Sequence, residues 1–177
     1  MTYRHKVFVS YHHANDQWYR DQFERQCIHT DIAVMRSVQI GDIDPNIKTE
    51  TIRQKIRDEY LADSTVTVVL IGTQTWQRKH VDWEIGSSIR ETKSSSRSGL
   101  LGIFLPTYPL VNNRYDPQTI PPRLYDNVES GFAKLYAWTQ DARAIQAWIH
   151  EAFQRRDAVL PDNSRDSFAN NRTGTRW

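Results

Sequence analysis

The sequence has little with which to form a disulfide, cross a membrane or wrap a phosphate. Cys27 is the single cysteine among 177 residues. No internal disulfide can form, and a lone thiol fits a reducing compartment. It stands four residues from Phe23 and eight from Tyr19, a spacing that reads as a buried core thiol. No apolar run approaches the roughly 18 residues needed to span a bilayer. The opening MTYRHKVFVSYHH enters a strand pattern at once, so we expect no signal peptide and a cytoplasmic location. The seven glycines include no G-x-G-x-x-G after the first strand and no G-x-x-x-x-G-K-[ST]. Ordinary dinucleotide and NTP cradles are therefore excluded. G-x-S-x-G is also absent, which counts against a serine-hydrolase elbow. A formal net charge of +2, without a basic cluster, argues against a nucleic-acid partner.

What is present is an alternation of apolar runs and helical stripes. Hydrophobic residues at 38% and charged residues at 25% suit a globular chain of one domain. Strands are expected at Lys6–Tyr11, Val34–Ile40, Thr65–Gly72, Leu100–Leu105 and Phe132–Trp138. TVTVVLIG, residues 65–72, lacks alternation, as a strand buried on both faces would. Helices are expected at Asp16–Ile28, Thr49–Leu61, Val81–Lys93 and Asp141–Arg156. Tyr19, Phe23 and Cys27 mark the first stripe, and Ile145, Trp148, Ile149, Ala152 and Phe153 mark the last. Residues 106–128 hold five prolines and read as a surface excursion. Residues 1–160 form the expected domain, and the polar tail 161–177 is expected to be disordered.

Five strands alternating with helices predict a doubly wound, mainly parallel α/β sheet with helices on both faces. In such sheets ligands bind beyond the carboxyl ends of the strands, near the topological switch point. Segments 10–15, 39–46, 72–83 and 106 onwards lie there. A response-regulator receiver shares the architecture, but Ser10-Tyr11-His12 and Ile71-Gly72-Thr73 stand where it needs acids. His12, His13 and Asp16 offer metal-ligand chemistry, yet adjacent histidines in a loop point apart. No third cluster has metal spacing, so no metal is expected. Asp42 and Asp44 flank a Gly-to-Pro turn, which turn chemistry explains as well as a substrate role or a lid does.

Glu84, within KHVDWEIGSS, is the residue the pattern leaves open. One reading makes it a first-turn acid favoured by the helix dipole. The other makes it a carboxylate facing a cleft walled by Trp76 and Trp83, with the small Gly86-Ser87-Ser88 allowing close approach. A fixed anion beside aromatic surface suits an oxocarbenium-like transition state on a ribose carbon.

VFVSYHHAND, TVTVVLIGTQTW and HVDWEIGSSI together resemble the TIR-like proteins of the bacterial Thoeris antiphage system, the ThsB type, over residues 5–140. The resemblance implies a flavodoxin-like, TIR-like fold and cleavage of NAD+ as substrate, with no cofactor. It further implies a cyclic ADP-ribose-type product that activates a separate effector, and self-assembly on activation. Glu84 falls on the family's catalytic glutamate. Phe8, Ser10, Tyr11 and His12 match the pocket-lining end of the first strand. Asp42 and Asp44 fall in the variable loop after strand two. Many TIR sequences carry Trp four residues before the acid; here that position is His80, and Trp83 adjoins the acid. Two other readings are a TIR-like scaffold acting by protein contact and a nucleoside deoxyribosyltransferase, which uses a similar sheet and a glutamate nucleophile.

Overall fold

A computed structural model describes residues 4–36, 51 and 54–177. The first apolar run forms β1, His5–Ser10, and runs into α1, His13–His29. The chain returns as β2, Ala33–Arg36. A π-helical turn at Ile56–Leu61 precedes β3, Val66–Ile71. Then come α2, Lys79–Ser88; β4, Gly99–Phe104; α3, Pro122–Glu129; β5, Ala133–Ala137; and α4, Ala142–Ala158. The strands lie in the order β2-β1-β3-β4-β5, and every described pairing is parallel. This is a doubly wound, flavodoxin-like α/β sheet. Its order reverses between β1 and β3, where crossovers leave to opposite faces and open a crevice.

The period-two geometry of the strands sorts their side chains into two cores. Val7 and Val9 of β1 join Val66, Val68 and Leu70 of β3 beneath α1 and α4, with Phe23, Cys27, Ile145 and Ile149. Val69 and Ile71 face the other way, against Val81 and Ile85 of α2 and Leu124 of α3. All six residues of β3 and of β4 are buried, as their unbroken apolar runs require of central strands. Cys27 is fully buried, and burial pushes its thiol up to about 12, so it is a core group without reactivity.

Several boundaries differ from those the sequence suggests. The strand expected at 34–40 and the helix expected at 49–61 lie partly outside the described residues. α2 begins at Lys79 and ends at Ser88, where Ser88 O accepts the Ser98 amide and turns the chain toward β4. The proline-rich excursion contains α3, with Pro122 in its first turn, a position that needs no amide donor. Proline was read there as a breaker, whereas it starts a helix.

The tail over 161–177, expected to be disordered, packs along α2 and α3. Its polarity concealed partners that are mostly backbone groups and ions. Asn127 Oδ1 accepts the Asp162 amide, and Asn163 Nδ2 donates to Gly86 O. Asn171 Oδ1 accepts the Lys79 amide at 3.0 Å, capping α2 from a distant part of the chain. Phe168 is buried, Arg165 makes a two-pronged pair with Asp126, and the Trp177 indole donates to Ile120 O.

One buried ion pair joins these pieces. Arg123 of α3 donates Nε–H to Asp82 Oδ1 at 2.9 Å, and the Phe168 amide donates to Asp82 Oδ2 at 2.9 Å. Both side chains are nearly inaccessible. Removing one partner of such a pair strands a charge at a cost of about 3–5 kcal/mol, whereas replacing both is far milder. We therefore expect Arg123→Met to lose about that much stability in urea titration, and Asp82→Asn with Arg123→Met to regain a large part of it.

Candidate active site

β1 ends at Ser10, next to β3 at the switch point, and its buried side chain faces α2. α2 enters from above. Glu84 lies in its second turn, and the first-turn acid is Asp82, which is neutralised by Arg123. The helix-dipole reading thus belongs to Asp82. Glu84 is 1% exposed, and its Oε2 accepts a short hydrogen bond from Ser10 Oγ. Burial pushes its carboxyl up to about 8, with the Ser10 hydroxyl opposing. Among the described residues no cation contributes, so desolvation dominates. At neutral pH the resting acid is therefore largely protonated.

His80 stands one helical turn before Glu84, on the same face of α2. Its Nε2 lies 3.0 Å from Tyr11 O. A carbonyl only accepts, so Nε2 carries the proton and Nδ1 keeps its lone pair. Burial pushes this imidazole down to about 4, leaving it neutral. His13, the first residue of α1, stacks between the Tyr11 ring at 4.4 Å and the His80 ring at 4.8 Å. One ligand atom each from His13, His80 and Glu84 lies within 4.8 Å of the others.

The remaining residues singled out in the sequence divide. Phe8 shares a face with Ser10 and is buried. The Tyr11 ring joins the opposite core, with its hydroxyl donating to Gln17; its edge of the site is the carbonyl that meets His80 and the ring surface against His13. His12 caps α1: its Nδ1 accepts the Asn15 amide at 3.1 Å. Trp76 is buried in a 3-10 turn, Thr75–Gln77. Trp83 faces the C-terminal segment, where its indole donates to Phe168 O at 2.8 Å and Lys79 lies over its ring. It is thus engaged away from Ser10. Asp42 and Asp44 lie outside the described residues.

Two residues near the site were passed over in the sequence. His13 was set aside with His12 because neighbouring loop histidines diverge. They do diverge, one capping α1 and the other turning to α2. Asp16 is 3% exposed, and its Oδ2 has no hydrogen-bond partner among the described residues. Burial pushes its carboxyl up to about 6. It packs so closely on Gly72, just past β3, that a Cβ there would lie 2.4 Å from Oδ2. Only glycine admits the contact.

A flavodoxin-like sheet with a buried glutamate on the helix after β3 fits a TIR-like domain. The family model for Thoeris protein ThsB, TIR-like domain, matches residues 8–109, from β1 past the end of β4, and the chain belongs to that family. No curated protein matches the chain. Among the described residues no helix is long and apolar enough to cross a membrane.

Because the folded state holds the Glu84 proton more tightly than the unfolded chain does, this group's contribution is fully present below the ordinary value of 4.5. It is lost as pH rises toward and through about 8. Glutamine keeps an acceptor for Ser10 and cannot ionise. Glu84→Gln should therefore melt above the wild type by a margin that widens from pH 5 to pH 8.5. Calorimetry across that range checks the trend.

Proposed function

We propose that this domain cleaves NAD+ between nicotinamide and ribose, with Glu84 as the residue that stabilises the reacting sugar. The observation that carries this reading is the Ser10–Glu84 pair. It is a buried carboxyl with no cation partner among the described residues, at the switch point of a domain in the Thoeris ThsB family. In the proposed step the C1–nitrogen bond breaks and its electron pair leaves with the pyridinium nitrogen, releasing neutral nicotinamide. The ribose becomes an oxocarbenium ion, which an ionised Glu84 stabilises. The substrate's positive ring favours that ionised form. A carboxyl that is neutral in the resting crevice thus becomes the anion the reaction needs when NAD+ arrives.

The cation is then captured by a nucleophile that gives up its proton. Water yields ADP-ribose, whereas a group of the same molecule yields a cyclic isomer. Burial of Glu84 at 1% exposure favours the second outcome, because a water-poor crevice slows hydrolysis. In this reading the cyclic product is the signal that activates a separate antiphage effector. No redox cofactor is required.

Purified protein incubated with NAD+ at low and high protein concentration, with products followed by chromatography and mass spectrometry, tests the proposal. Glu84→Gln should release nicotinamide about 100-fold more slowly or worse. The wild-type kcat/KM, which reports the free enzyme, should climb as pH rises toward about 8. Equal release by both proteins, or none at either concentration, would overturn the reading and leave a module that works by protein contact.

A further inference from the structure

We propose that His13, His80 and Glu84 form a binding site for a borderline divalent cation, with zinc the best fit. The three side chains come from two elements. His80 and Glu84 lie one turn apart on α2, and His13 reaches across from the start of α1. Their ligand atoms lie within 4.8 Å of one another, and among the described residues theirs is the group of His, Cys, Asp and Glu side chains so gathered. Tetrahedral zinc at about 2.0–2.1 Å from each donor needs ligand atoms about 3.3–3.5 Å apart. The atoms lie up to 4.8 Å apart, so the side chains close in by about 1.3–1.5 Å at most when an ion binds.

Two features beyond proximity favour a cation here. The Nε2–H of His80 is fixed on Tyr11 O, which holds the ring in the tautomer whose Nδ1 lone pair is available. Ser10 holds Glu84 Oε2 in the same way. Metal-bound imidazoles and carboxylates are oriented by just such outer hydrogen bonds. Two imidazoles and one carboxylate suit zinc and its neighbours, whereas magnesium and calcium require oxygen donors throughout. Three protein ligands leave the fourth position to water.

Such an ion would occupy the carboxylate that the proposed NAD+ reaction uses, so zinc should compete with the nucleotide. That consequence rests on the proposed function; the binding itself does not. The test uses the full chain with any affinity tag removed. Zn2+ is titrated in competition with a chromophoric chelator, and Co2+ is added for the visible absorption of a tetrahedral site. One equivalent should bind with a dissociation constant in the micromolar range or below. His13→Ala, and His13→Gln should the first variant fold poorly, should weaken binding at least tenfold. His150→Ala, which alters the His5–His150 pair at the other end of the sheet, should leave it unchanged.

Failure to bind one equivalent below millimolar, or binding indifferent to both His13 variants, would overturn the proposal. In a separate arm, zinc should slow nicotinamide release, with at least tenfold lower potency against His13→Ala. Should the protein release no nicotinamide at all, the function falls while the titration still decides the metal site.

Discussion

A carboxyl group held out of water, with one hydroxyl and no cation for company among the described residues, is the constraint around which this domain is arranged. Ser10 and Glu84 meet because the strand order reverses between β1 and β3, leaving a crevice with a strand end on one side and α2 on the other. Asp82, two residues earlier on the same helix, has the opposite circumstances. It is also buried, yet Arg123 and the Phe168 amide neutralise it. Two acids on one short helix are thus driven apart in character by what lies opposite them. One is paired with a guanidinium, whereas burial pushes the other's carboxyl up to about 8. The first holds the helix in place, and the second is what that placement delivers to the crevice.

The crevice is therefore costly to the fold. An uncompensated buried carboxyl lowers stability in its ionised state, and Asp16 beside Gly72 repeats the expense nearby. Proteins concentrate such local violations where they work. The rest of the structure compensates through two continuous apolar layers, one on each face of the sheet, and through central strands whose every residue is buried.

Most of the framework was legible in the sequence because its strands are unbroken apolar runs. TVTVVLIG could be little else, and its order among the helices led directly to a parallel sheet. Glu84 was legible as a question, since an acid flanked by Trp83 and Ile85 contradicts the pattern around it. What remained hidden depended on contacts between distant segments. α3 was masked by prolines that start helices as readily as they end them. The tail appeared structureless because polar composition does not reveal that Asn163 will meet Gly86, or Asn171 the amide of Lys79. Trp83 was placed in the cleft by its proximity to Glu84 in sequence, but consecutive helical side chains diverge by about 100°. It faces Phe168 instead. His13 failed the test of spacing for the converse reason: its neighbours come from α2, far along the chain.

The dependence of α2 on residues 163–171 also sets an order of events during synthesis. A helix whose first amide is capped by Asn171, and whose buried acid accepts the Phe168 amide, gains these contacts only once residues 168 and 171 have been made. Chains abandoned before that point carry every residue of the Ser10–Glu84 pair but lack the clasp that seats it.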